Sequence, residues 1–472
     1  MRFDRREVLT LGLLAVAGCT ATSAPGAAPA PSNSPGVTAV ATVGATTGSS
    51  PAGTSPPATA PPSPTTTPPA TVRKVPAPRF ALATAPGGGI DGDALDRRLA
   101  ALGPYRGGTL RKIVVRPGTY SRTRPLRLPS GVHLVAAGAT FVSRIPGAQD
   151  PLVDISNVSD VTVEGGTWDG NANKIKVVTE WKHNFRIHNS SRVTLKGLLA
   201  QNAKGDGIYL GSFRTPCRDI TVTSVKSRKN YRNGMSITSC DGLRCTDSIF
   251  NDNGETSPLA GVDVEPHDAA APIRDLRFSR CAFSSNTARG FLVVMHPGNV
   301  ERPGAIRLAD CTIEKNGRAA SSSLWAGISL IRPRGVEISN CLLRENHVGI
   351  AIQSRRPSDA KSMLGQGIVT IDRVDVVDSE REGMIVLKGI RKLEVNDARL
   401  LNSSREQNGF FSGILLAGGS NMTFTDCVSE GARRFGLQAA PSVRRVVLTR
   451  CRLAGNTAGE LDVPKAGVRV VR

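Results

Sequence analysis

The stretch VEISNCLLREN, Val336 to Asn346, alternates aliphatic and polar residues, then places a cysteine, an aliphatic residue two positions on, and an asparagine five positions after the cysteine. IRLADCTIEKN (Ile306 to Asn316) and LRFSRCAFSSN (Leu276 to Asn286) repeat the pattern. Each is followed by a glycine and an apolar residue: Gly349-Ile350, Gly327-Ile328 and Gly290-Phe291. The same register places Gly197, Ser224, Ser248, Val374, Ala398, Cys427 and Cys451 at the cysteine position, at intervals of 24 to 33 residues. A period of that size, made of short β-patterned runs cut by Gly and Asn, fits one turn of a parallel β-solenoid and not a helical repeat. Coils stack at about 4.8 Å, so equivalent residues form ladders. Asn202, Asn253, Asn286, Asn316, Asn346 and Asn456 are expected to line one corner, their amides satisfying turn backbone groups and one another.

The strand after each glycine begins with an inward apolar residue, so its second and fourth residues point outward. In coil order these outward pairs are Tyr209/Gly211, Ser236/Thr238, Asp263/Glu265, Leu292/Val294, Ser329/Ile331, Ala351/Gln353, Ile385/Leu387 and Leu415/Ala417. One coil, GVDVEPHD (Gly261 to Asp268), places two acids there, expected to face solvent. His267 follows them, and the equivalent position one coil later is His296. Asp206 and Tyr209 should border this surface on one side, and Arg332, Arg334 and Arg355 on the other. Acid, imidazole, phenol and guanidinium on one otherwise apolar face make a candidate site. The segment EWKHNFRIHNSS (Glu180 to Ser191) carries His183, Arg186 and His188, and its Trp181 is suited to stacking on a sugar ring.

From roughly residue 85 to the C-terminus the chain resembles the right-handed parallel β-helix proteins similar to pectate lyases. GGIDGDALDRRLAAL looks like that superfamily's capping helix, with Leu95, Leu99 and Leu102 as one apolar stripe suited to covering an open solenoid end. IVVRPGTYSRTRPLRLPSGVHLVAAGATF looks like the first coils. GGTWDGN and RVTLKGLLAQNAKGDGIYLG continue the likeness. The fold expected is all-β, a right-handed parallel β-helix with an N-terminal capping helix. EPHD at 265–268 resembles the DPH-type motif of mannuronan epimerases and related alginate lyases, with Glu265 in place of Asp and Val262 where those enzymes carry Tyr.

The resemblance implies removal of the proton beside a uronate carboxylate. His267 or His296 would be the base, and Tyr209 the acid. The carboxylate would be neutralised by Arg332, Arg355 or a Ca²⁺ held by Asp263 and Glu265, the one cofactor foreseen. A rival enzyme class is hydrolysis of the polygalacturonase type, using Asp263 with Glu265 or with Asp206 in GDGIYLG. A third reading, from a different class, is a non-catalytic surface module that binds glycans.

Net charge is +21 with pI near 10.2, which favours acidic partners. Aromatics are only 4% and Lys/Arg are scattered, with no nucleic-acid-binding module, so an acidic polysaccharide is the partner expected, met by a monomer. Residues 1–19 read as an export signal, and VAGC looks like a lipobox that would lipidate Cys19. Residues 20–78, rich in Pro, Thr, Ala and Ser, read as a disordered stalk and 79–472 as the β-helix domain, which places the protein at the outer face of a bacterial cytoplasmic membrane. Cys217 and Cys240, off the ladder register and in adjacent coils, are the disulfide candidates, with Cys245 an alternative partner.

Overall fold

The computed structural model describes residues 70–84, 88–176, 179–212, 215–296, 304–318, 325–353, 367–388, 390–406, 410–464 and 467–471. Arg355 and residues 1–69, where the export signal, Cys19 and most of the stalk are expected, lie outside the described residues. Among the described residues no helix is long and apolar enough to cross a membrane.

The chain winds into a right-handed parallel β-helix of three sheets, with 14, 13 and 13 strands among the described residues. Every strand pairs in parallel with the one three strands later, so each pairing joins successive coils. Inward residues stack as aliphatic columns. In the first sheet Val193, Ile220, Leu243, Leu276, Ile306 and Val336 are successive register partners, each at most 1% exposed. An aromatic column, Tyr120–Phe141–Trp168–Phe185, fills the N-terminal core with centroids 4.5 to 5.5 Å apart. The turn Gly92–Ala94 and helix Leu95–Ala100 close that end, burying Leu95 and Leu99, as the apolar stripe required.

The cysteine column lies just past the first sheet. Ser248, Cys281, Cys311, Cys341, Val374, Ala398 and Cys427 are buried there, and Cys451 is half-buried. Gly197 and Ser224 fall one position earlier than expected, and Leu198 and Val225 take the buried places. The reason is a left-handed corner that each coil makes before the buried position, at Gly197, Ser224, Asp247, Arg280, Asp310, Asn340, Arg373, Asp397, Asp426 and Arg450, with φ of 49° to 59°. Carbonyl oxygens receive the thiols, Cys281 Sγ donating to Ser279 O and Cys341 Sγ to Ser339 O, and Cys281 Sγ also lies 3.8 Å from Cys245 Sγ. With the register corrected, Cys217 and Cys240 are direct partners on adjacent strands, but both sulfurs are free and the expected disulfide is not formed. Cys217 Sγ turns to Ile187 O at 3.3 Å.

The asparagine ladder runs through Asn230, Asn253, Asn286, Asn316 and Asn346. From Asn253 onward each Oδ1 accepts the backbone N–H and the side-chain N–H of the asparagine one coil earlier, for example Asn253 N at 3.1 Å and Nδ2 at 3.0 Å on Asn286 Oδ1. Asn202 is not a member. Its backbone is left-handed, its amide turns to Asp169, and Ala203 stands in the ladder instead. Asn456 serves the backbone of Ala432 in a separate step.

Residues 71–83 lie along the left-handed corner, although composition groups most of them with the stalk. Arg73 pairs with Asp375 and Asp397, Arg79 N–H donates to Asp247, and Ala83 N–H to Gly197 O. The corner's carboxylates and open carbonyls supply partners that composition does not reveal.

Candidate active site

The third sheet carries the site. Its register stacks Arg127, Asp154, Arg186, Tyr209, Ser236, Asp263, Leu292, Ser329, Ala351, Ile385 and Leu415 in one outward row. Val262 and Val264 on either side of Asp263 are wholly buried in the core, so the acid does leave the opposite face of the strand. It does not face solvent, however. Asp263 is 3% exposed, as are Ser236 and Leu292, because this face of the sheet is covered.

Tyr209 is the centre of the arrangement. Its Oη lies 3.0 Å from Thr238 Oγ1 and 3.3 Å from His267 Nε2. The phenol leans across the row because Gly211 has no side chain: a Cβ there would sit 1.8 Å from Thr238 Oγ1 and 3.1 Å from Tyr209 Oη. The His183 imidazole lies flat on the Tyr209 ring at 4.8 Å and 12°, and Trp181 stands edge-on to both rings at 6.3 Å. Burial holds the Tyr209 hydroxyl above its usual range, with the Asp206 charge adding to the effect and Thr238 opposing it. The phenol is therefore kept neutral.

Beside Tyr209 an ion network runs from buried Asp206 through half-buried Arg232 to exposed Glu180. Arg232 reaches Asp206 Oδ2 at 3.2 Å with Nη1 and Glu180 Oε2 at 3.3 Å with Nη2, and donates Nε–H to Ser257 O. Asp206 is fully buried, accepts the Asn233 N–H at 3.1 Å, and lies 3.3 Å from His183 Nδ1. Burial alone would push its carboxyl up; the Arg232 charge, with the Ser236 hydroxyl, outweighs this and holds it below the usual range. Asp263 goes the other way. Burial first and the Glu265 charge second hold its carboxyl well above the usual range, against the pull of Arg232. Its Oδ2 is 3.5 Å from Asn233 Nδ2, while its Oδ1 is buried and without a hydrogen-bond partner among the described residues. Two carboxyls two coils apart are thus pushed in opposite directions, the arrangement by which one fold separates acid and base roles.

The remaining expected residues fall as follows. Glu265 is half-buried and His267 exposed at the rim. His296 is half-buried, two residues past the strand Arg289–Val294, at the same edge of the sheet one coil on. Arg332 is 6% exposed and its Nε–H donates to Met295 O at 2.5 Å, stitching one coil to the next. Arg334 is likewise buried. No group of three Asp, Glu, His or Cys side chains among the described residues could hold a metal ion. The carboxylates of Asp263 and Glu265 share their surroundings with Arg232, so the donor set does not fit Ca²⁺ and no step below is routed through one.

No family model matches this chain. Two curated Bacillus subtilis proteins are similar over part of it: the prophage-derived uncharacterized protein YorA, 22% identical over 31% of this chain, and the uncharacterized protein YclG, 25% identical over 24%. The chain spans 23% and 22% of the length of those relatives. Among solved structures it is similar to the A-module of mannuronan C-5 epimerase AlgE4 of Azotobacter vinelandii (13% identity, 82% of this chain and 98% of that one, TM-score 0.45). It is also similar to a GH87 α-1,3-glucanase of Streptomyces thermodiastaticus (14%, 85% and 69%, TM-score 0.47) and to tailspike protein 3 of bacteriophage CBA120 (13%, 81% and 60%, TM-score 0.41).

Sequence reasoning missed Arg232 and Glu180, and it noted His183 without connecting it to Tyr209. Arg232 lies in a polar turn, RKNYRNG, with no periodicity to mark it. The one available signal was the cluster of charged and aromatic residues from Glu180 to His188, which arrives beside Tyr209 only through the coil stacking.

Proposed function

We propose that the protein acts on an acidic polysaccharide by abstracting the proton next to a uronate carboxylate, the step shared by lyases and C5 epimerases. The observation that carries this reading is the 3.3 Å contact between Tyr209 Oη and His267 Nε2 beside a buried carboxyl, Asp263, biased toward its protonated form. His267, exposed at the rim, takes the proton. Tyr209, neutral by burial, returns one to the leaving oxygen or to the opposite face of the ring. A protonated Asp263 donates to the uronate carboxylate through its unpartnered oxygen, which lowers the cost of the developing negative charge. The net charge of +21 draws the polyanion in.

The test is incubation in deuterated water with polymers of galacturonate, glucuronate, mannuronate and guluronate, beside neutral glucans. Ultraviolet absorbance from a C4=C5 product, which carries no hydrogen at C5, indicates elimination; deuterium at C5 without that absorbance indicates epimerisation. Tyr209→Phe and His267→Asn should each lower the rate by about 10²- to 10⁴-fold. New reducing ends without either signal would replace this reading with hydrolysis, for which the opposite shifts of the Asp206 and Asp263 carboxyls are the favouring observation. Binding without any chemistry would leave a glycan-binding module. The lipobox-like VAGC supports an exported protein anchored through Cys19, so Cys19→Ala should move it out of the membrane fraction.

A further inference from the structure

His183 takes no part in the proton transfers above, yet its surroundings are those of a group that meets a ligand. Its side chain is 1% exposed and held on two sides. One face of the imidazole lies on the Tyr209 ring. On its edge, the backbone N–H of Asp206 donates to Nδ1 at 3.1 Å. Asp206 is wholly buried, so its amide needs an acceptor, and Nδ1 serves only while it keeps its lone pair. The proton of the neutral ring is therefore on Nε2. That Nε2 is buried and has no hydrogen-bond partner among the described residues. The ring cannot swing to find one, because Asp206 is itself held by Arg232 and by the Asn233 amide. Buried polar groups in folded proteins are nearly always paired, and an unpaired donor fixed in a site wall calls for an acceptor from outside.

We propose that His183 is a further substrate-binding residue, whose Nε2–H donates to a carboxylate oxygen of the acidic sugar seated against Tyr209. Trp181, half-buried and edge-on to both rings, is the lip that turns aside to admit the sugar. Arg232 fixes both ends of the device: it orients His183 through Asp206 and tethers the Trp181 segment through Glu180. This inference rests on the reading of the site as one for uronates.

The experiment pairs two variants with two ligands, read by calorimetry on the full chain. The ligands are short oligosaccharides of the four uronates above and the same oligosaccharides with carboxyls reduced to alcohols. His183→Phe keeps a flat ring on Tyr209 and removes Nε2; His183→Gln returns an amide N–H to about the same place. A donor to a charged oxygen predicts that His183→Phe weakens the acidic ligand by about 10-fold or more and the reduced ligand little, with His183→Gln restoring most of the loss. Equal losses on both ligands, or no rescue by Gln, would overturn the role.

Nitrogen-15 histidine spectra of the unmodified protein give a measurement that needs no variant. The His183 proton should sit on Nε2 and shift when the acidic oligosaccharide binds; a proton on Nδ1, or an Nε2–H indifferent to saturating ligand, would overturn it equally. If the unmodified protein binds none of the acidic oligosaccharides, the proposed function falls. If it binds them and His183→Phe binds as well, only the role of His183 falls.

Discussion

Gly211→Ala tests whether the phenol of Tyr209 is placed as described. The added Cβ would stand 1.8 Å from Thr238 Oγ1, 3.1 Å from Thr238 Cβ and 3.1 Å from Tyr209 Oη. A methyl group cannot share that space with a hydroxyl, so Thr238 must rotate away or the two strands must separate. Rotation breaks the 3.0 Å Tyr209–Thr238 hydrogen bond and frees the phenol from its place opposite His267. Overpacking of this kind costs roughly 1–3 kcal/mol of stability. Displacing a reacting group by about 1 Å costs on the order of 10²-fold in rate. The expectation is therefore a stability in urea lowered by that amount and proton removal from C5 slowed about 100-fold, with His267 unaltered. The double variant Gly211→Ala, Thr238→Ala removes the clashing oxygen, so it should recover most of the stability but little of the activity. A Gly211→Ala protein as stable and as active as the parent would refute the placement of Tyr209, as would a double variant no more stable than the single one.

Asn286→Ala removes four side-chain hydrogen bonds of a fully buried ladder residue and orphans the Asn253 amide. At about 1 kcal/mol net for each bond, plus the orphaned donor, the loss should be about 4–6 kcal/mol, and a denaturation experiment showing less than about 1 kcal/mol would contradict the ladder. Asp263 has a raised folded-state value, so its contribution to stability is full below the ordinary Asp range, near pH 4, and is lost as pH rises through the folded value. Asp263→Asn should accordingly be more stable than the parent at neutral pH, with the gap closing on acidification; Glu265, Asp206, Arg232 and Arg289 are the charges that set the shift, and a gap that widens in acid would reverse the assignment. Arg73→Ala leaves the buried Asp375 carboxylate with Arg399 at 3.7 Å as its nearest cation among the described residues. It should cost roughly 1–3 kcal/mol and expose residues 70–84 to protease, whereas unchanged cleavage of that segment would mean Arg73 does not hold it.

The fold was legible because a solenoid is a local rule repeated. Period-two alternation places Val336 and Ile338 inward whatever the rest of the chain does, and a 24- to 33-residue period leaves stacking of coils as the way to bury such strands. The outward row was legible for the same reason, so Tyr209, Ser236 and Asp263 could be aligned by counting. Counting failed at Gly197, Ser224 and Asn202, which are themselves left-handed corner residues, the inward places next to them going to Leu198, Val225 and Ala203. Composition likewise gives no sign of where Arg73 binds, since its partners lie some three hundred residues away.

What sequence alone determined is therefore the scaffold and the candidate strand: which side chains share a column, and that two acids and a histidine leave the sheet together. What only the tertiary structure decided is the electrostatic state of that strand. Asp263 is buried rather than solvated, Asp206 is paired with Arg232, and His183 lies on Tyr209, because segments from four successive coils converge over one face. Burial and charge neighbours, which separate the two carboxyls, are properties of that convergence; no local pattern encodes them.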